Sequence, residues 1–230
     1  MRWCAKVLIQ LTLVAVVLPG FLHAQEDEDF TEDSKLNTNL GVALSVPLNP
    51  LAQFTNFAGG VNVGAGYNFN RRNAFVGEFM WNGIVPSDAV IEPIRAALQA
   101  PNLDGHANLF ALTANYRYEL RGMKTGIYFI GGAGIYHRNA SLSQQVPDGT
   151  AAVCVGGFRF FGLTCASGVI TNNVTLASSA SSSYGFNGGI GFTVKVGEPR
   201  YRMYIEARYH YAPNMNVNTQ IIPITIGIRF

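Results

Sequence analysis

The sequence is poor in charge, poor in cysteine and, past its first two dozen residues, free of long hydrophobic runs. Charged residues make up 13% of the 230, while aromatics reach 12% and glycines number 25. No stretch after the start approaches the roughly 18 apolar residues that a membrane-spanning helix needs. Helical membrane proteins are thereby excluded, and the apolar content has to sit in short segments, which means strands. The length fits one domain or at most two.

The N-terminus carries the marks of an export signal. Arg2 and Lys6 precede an apolar run at 7–18, Pro19 and Gly20 break it, and Leu22-His23-Ala24 offers a small residue before Gln25. The run is short for an anchor helix and acidic residues 26–29 follow it directly, so residues 1–24 are expected to be a cleaved signal peptide. Cys4 precedes the run and is no lipoprotein acceptor. Removing Arg2 and Lys6 takes Lys+Arg from 16 to 14, against 14 Asp+Glu. The mature chain is then formally neutral, and nothing marks it as a nucleic-acid binder. Cys154 and Cys165 have ten residues between them and no His among those ten. In an exported chain they are expected to form a disulfide within one loop rather than a metal site.

Residues 25–37 are acidic and polar, an expected flexible lead-in. From Asn39 onward a period of two recurs. Leu40, Val42, Leu44 and Val46 share one face of a first strand. Val61, Val63, Ala65, Tyr67 and Phe69 oppose Asn62, Gly64, Gly66 and Asn68. After the turn Asn70-Arg71-Arg72-Asn73, Phe75, Phe79 and Trp81 alternate with Val76, Glu78 and Met80. Phe110, Leu112, Ala114, Tyr116 and Tyr118 alternate with Leu109, Ala111, Thr113, Asn115 and Arg117. A fifth strand near 126–137 is apolar on both faces; Ile127, Phe129, Ala133 and Ile135 are expected outward. Tyr184, Phe186, Ile190, Phe192, Val194 and Val196 face one way in a sixth. Tyr201, Met203, Ile205, Ala207, Tyr209 and Tyr211 do so in a seventh, and Ile222, Ile224, Ile226, Ile228 and Phe230 in the last.

A soluble sandwich would alternate too, but three features favour a barrel in a membrane. The strands reach about 10 residues, the spanning length, with one face continuously apolar. Connections after strands two, four and six are tight while the others are long, above all 138–181. Threaded this way, the aromatics collect at the strand ends in two girdles. Tyr67, Phe69, Phe75, Tyr116, Tyr118, Tyr201 and Phe230 lie at the short-turn end, and Trp81, Tyr184, Phe186, Tyr209 and Tyr211 at the other. The expected fold is all-β: an eight-stranded antiparallel up-and-down transmembrane β-barrel over 38–230. A short helix is expected in the extracellular loop 86–101, where Ala89, Val90, Ile94, Ala97 and Leu98 recur at helical spacing.

With these residues in view, the chain resembles the small OmpA-like family of eight-stranded outer-membrane barrels over about 38–230. The segment Gly66-Tyr67-Asn68-Phe69-Asn70 looks familial. The end, Ile222, Ile224, Ile226, Ile228 and Phe230, is similar to the family's C-terminal insertion signal. The resemblance implies location in the bacterial outer membrane. It also implies contact with outer-membrane lipid and lipopolysaccharide, and dependence on the barrel-assembly machinery for insertion. No peptidoglycan-binding domain is expected, since the sequence closes on the last strand. The family mixes structural proteins, adhesins, narrow pores and lipid-modifying enzymes, so membership leaves function open.

The residues that could carry chemistry are few. Glycine clusters at 131–134 and 185–191 lack the following helix of a phosphate loop and are expected to relieve crowding inside a narrow barrel. Glu78, Arg117, Lys195, Arg202, Glu206, Arg208 and Arg229 face inward, where they must pair or reach an end of the lumen. A plug of ion pairs is the expectation, and a gated pore the alternative. His106, His137 and His210 fall near one rim but on different faces, so no metal site is expected. A barrel lipid A deacylase would place Ser two residues after its His; here Ala212 follows His210 and offers no hydroxyl. The aromatics at 158–161 either bind a surface partner or fold over the disulfide. The expected role is structural or interactive at the cell surface, with no cofactor and no catalysis. The alternative is a narrow pore or uptake passage for small, including hydrophobic, molecules, with a lipid-modifying enzyme third.

Overall fold

The computed structural model describes residues 35–100, 102–156, 163–197, 201–215 and 217–230, with backbone alone at 57, 151–156 and 163–166. The expected signal peptide and most of the acidic lead-in lie outside these residues. Eight antiparallel strands close a ring in sequence order: β1 (Leu36–Pro47), β2 (Thr55–Asn68), β3 (Asn73–Pro86), β4 (Leu103–Arg121), β5 (Thr125–Gly156), β6 (Leu163–Lys195), β7 (Arg202–Ala212) and β8 (Thr219–Arg229). β8 returns to β1, with Leu40 opposite Ile228 and Val42 opposite Ile226. Closure leaves no sheet edge at membrane depth, as a barrel in lipid requires. β1 starts two residues before the expected barrel boundary. Asn37 is already buried, and its amide donates to Asn68 Oδ1 at 2.8 Å.

The period of two becomes the two faces of the wall. Leu40, Val42, Leu44, Phe79, Leu112, Ile190, Ile205, Ile224, Ile226 and Ile228 are exposed on the outside. Asn39, Asn62, Glu78, Asn115, Glu206 and Thr225 are buried inside. β5, which the sequence leaves two-sided, faces as expected: Phe129 and Ile135 point out while Tyr128, Ile130 and Tyr136 are buried. Two glycines make room for the inward tyrosines. A Cβ on Gly191 would lie 2.1 Å from Tyr128 Cζ, and one on Gly227 would lie 2.7 Å from Tyr204 Cζ.

One end of the ring has tight turns. At 69–72 the Asn70 side chain accepts from the Arg72 and Asn73 amides at 2.9 and 2.8 Å. At 122–124 the Gly122 amide donates to Thr125 O at 2.7 Å. The other end has the longer connections, the extracellular side in barrels of this kind. The β3–β4 connection holds α1 (Asp88–Leu98), the expected short helix. Its Ile91 packs against Ala100 and Leu103.

The segment 138–181 differs from expectation. Its described parts, 138–156 and 163–181, are not loop but a continuation of β5 and β6 as an antiparallel ribbon, paired from Asn139 opposite Ala180 to Gly156 opposite Leu163. The Ser-rich run 177–183 contains neither Pro nor Gly and stays in the ladder. Pro147-Asp148-Gly149 causes only a register shift before Thr150.

Candidate functional site

The lumen has two levels. Towards the long-connection end it is apolar: Met80, Ile84, Leu109, Ala111, Tyr136, Ala212 and Ile221 pack together, with Leu51 of the β1–β2 connection over them. His210 is buried there, its Nδ1 2.9 Å from Tyr136 OH. Alternation supplies these residues, because the inward positions near that end of β3, β4, β7 and β8 are filled by hydrophobic side chains.

Below this layer lie the inward charges, in two clusters. In the middle, Arg208 sits between two carboxylates. It contacts Glu78 across the lumen and Glu206 on its own strand, the latter at 2.6 Å. Asn39 and Asn115 donate to the two oxygens of Glu78 at 3.0 and 2.8 Å, and Tyr128 OH donates to Glu206 at 2.9 Å. Asn187 extends the chain by donating to Asn115 Oδ1 at 2.9 Å. At the short-turn end Glu119 is the hub. Arg229 and Arg121 each lie 3.2 Å from its carboxylate, Arg117 lies 3.8 Å away, and Thr193 donates to it at 3.1 Å. The Arg229 guanidinium also stands over the rings of Tyr128 and Tyr204, at 4.7 and 5.4 Å.

Of the expected inward charges, Glu78, Arg117, Glu206, Arg208 and Arg229 are thus buried and paired, while Lys195 and Arg202 sit half-buried, opposite one another, at the short-turn rim. Glu119 is the residue that sequence reasoning misses. The alternation of Leu109 to Tyr118 stops one inward position short of it, and β4 runs on to Arg121. With Glu119 included, three buried carboxylates, Glu78, Glu119 and Glu206, face three buried guanidiniums, Arg117, Arg208 and Arg229. Such balance matters because an unpaired charge in a low-dielectric interior costs several kcal/mol.

The histidines stay apart. His106 is exposed beside Asp104 at 3.3 Å, His137 contacts Ser182 Oγ at 2.8 Å on the outside, and His210 is the buried partner of Tyr136. Among the described residues no group of His, Cys, Asp and Glu could hold a metal ion. Ala212 lies in the apolar layer. The backbone register sets Cys154 directly opposite Cys165 near the far end of the ribbon; their side chains, and the aromatics at 158–161, lie outside the described residues.

A closed ring of eight antiparallel strands, apolar outside and polar or packed inside, with tight turns at one end, defines a small transmembrane barrel of the outer-membrane type. The chain belongs to the family described as outer membrane protein beta-barrel domain, whose sequence model matches residues 12–230. Its place is the bacterial outer membrane. Comparison with curated protein sequences gives no match. Among solved structures it is similar to Neisserial surface protein A, with a TM-score of 0.50 and 16% identity over 85% of this chain and 96% of that one. It is also similar to Ail, the attachment invasion locus protein of Yersinia pestis, with a TM-score of 0.45 and 18% identity over 85% and 97%. A third is the N-terminal barrel of Pseudomonas aeruginosa OprF, with a TM-score of 0.42 and 12% identity over 86% and 98%. At these identities the likeness to the Neisserial protein speaks for the fold alone.

Proposed function

We propose that this protein is a sealed outer-membrane anchor that presents the β5–β6 ribbon for contact at the cell surface, and that it catalyses no reaction. The observation that carries this reading is how the molecule divides. The described lumen holds an apolar layer towards one end and, below it, two charge clusters that balance only when taken together, three buried carboxylates against three buried guanidiniums. The ribbon, by contrast, runs past the last β4 partner of β5, Gln144, to Gly156. At about 3.3 Å per residue, that overhang measures on the order of 40 Å. An eight-stranded interior is just wide enough for side chains to fill, so a solute path would need these residues to part.

Residues 1–24 are removed on export. Cys154 and Cys165 are joined in the oxidising envelope, a staple favoured by their facing positions in the ladder. Insertion proceeds through the barrel-assembly machinery, reading the strand that ends on Phe230, and lipopolysaccharide surrounds the outer wall.

Liposome swelling tests the sealed anchor. Vesicles carrying the protein, placed in isotonic arabinose, glycine or a small aromatic acid, should swell no faster than empty ones. Swelling that scales with protein content would overturn the sealed reading in favour of a narrow passage.

A further inference from the structure

The two edges of the ribbon are unlike. Among the described residues no strand pairs with the outer side of β5 beyond Gln144, and that edge carries Pro147, which has no N–H to offer, and Asp148, with a register shift beside them. Those are the devices that blunt an edge against pairing. β6 has no Pro and no charge there, and its one irregularity is the unpaired Leu176, where the register shifts between Leu142 and Ser143. Its pairing with β7 reaches only Phe186 opposite Tyr211, so among the described residues no strand flanks the other side of 163–180. Among the described residues the β7–β8 connection meets the ribbon at its base, through Asn214 Nδ2 to Ser181 Oγ at 2.8 Å and Arg138 to Val217 O at 2.7 Å.

The composition of that edge is just as unguarded. The sequence from 163 to 194 contains no charged residue. Residues 169–176 read Val-Ile-Thr-Asn-Asn-Val-Thr-Leu, β-prone, neutral, and free of Pro and Gly. Val169 and Ile170 are 59% and 42% exposed, and Val174 and Leu176 are exposed as well. A neutral β-prone segment on an open edge is a template for strand addition.

We infer that β6 pairs edge to edge with the β6 of a second copy of this chain rooted in a facing outer membrane. This deepens the surface-contact reading by naming its partner. The geometry selects both the strand and the side. A two-fold axis that keeps both barrels in one bilayer runs along the membrane normal. It would bring the two β6 edges together parallel and level, with donor facing donor. Side-by-side packing in one bilayer would instead set β6 against β5 of a neighbour, where Pro147 and Asp148 interrupt the ladder. Copies projecting from two facing membranes meet antiparallel, about a two-fold axis across the strands. Antiparallel strands related in this way exchange N–H and C=O groups over the regular stretch 171–175, which ends before the bulged Leu176. With the axis near Asn173, Thr171 of one copy lies opposite Thr175 of the other.

The test uses the full chain in phosphatidylcholine vesicles, in two populations carrying donor or acceptor lipid dye. Mixing them should give energy transfer between populations and rising turbidity, at least several-fold above protein-free vesicles. The variant T171K/T175K should reduce both to the protein-free level, and T171E/T175E should do the same. Mixing the Lys population with the Glu population should restore them. Retained heat-modifiable migration on gels shows that each variant still forms its barrel. Failure of the unmodified vesicles to cluster, or clustering of the all-Lys population with itself, would overturn the inference. So would failure of the Lys–Glu mixture to cluster. Each result is independent of solute swelling, so the sealed anchor can stand while homotypic pairing falls.

Discussion

Arg208 is the side chain whose removal should cost the barrel most. It is 2% exposed and touches two carboxylates, Glu78 and Glu206, that no other buried guanidinium is seen to contact among the described residues. Changing it to Met keeps much of the aliphatic volume but leaves two like charges facing each other in the lumen. Breaking one buried pair costs about 3–5 kcal/mol. Two would exceed that if nothing else helped, but Asn39 and Asn115 still donate to Glu78, and Tyr128 still donates to Glu206. The expected loss for Arg208→Met therefore stays within about 3–5 kcal/mol. Urea unfolding from lipid vesicles, followed by the fluorescence of Trp81, measures it. Adding Glu78→Gln and Glu206→Gln removes the stranded charges and should recover more than half of the loss. A loss below about 1 kcal/mol for Arg208→Met, the range of an exposed pair, would refute the buried network.

Three further outcomes follow from the same geometry. Ile226→Arg puts a charge on the lipid face and should weaken insertion by about 2–4 kcal/mol near the midplane. Thr225→Ser, inside, should have a small effect, and equal damage in a folding titration would contradict the facing. Gly191→Ala drives a methyl into the Tyr128 ring and should lower stability, with Tyr128→Leu relieving it. Gly188→Ala, whose Cβ meets nothing nearer than 4.0 Å, should be nearly silent in the same urea assay. Peptide mapping without reduction should recover Cys154 and Cys165 linked, and two freely alkylated thiols would refute the staple.

The membrane-spanning part of each strand was readable because one face must meet lipid. That constraint writes a period of two that a one-residue slip would destroy. The inward charges were readable for the same reason, down to the facing of Arg208 and Arg229. Beyond the bilayer the constraint lapses. The run 177–183 has no apolar alternation and reads as loop, yet β5 across from it supplies a complete set of backbone partners and holds it as strand. Glu119 was lost at a strand end, where alternation gives the least warning. Partner choice was not legible either. Glu206 pairs with Arg208 two residues along its own strand, and that arginine reaches across the lumen to Glu78. Spacing along one strand tells which side chains share the lumen, whereas pairing depends on the stagger between strands.

Single-channel recording in planar bilayers tests the central claim most directly. With an apolar layer above and two buried clusters of paired charges below, the unmodified barrel should give no resolvable current at moderate voltage. The variant lacking Arg208, Glu78 and Glu206 charges should at most flicker. Steady, discrete conductance from the unmodified protein would contradict the sealed lumen and establish a passage in its place.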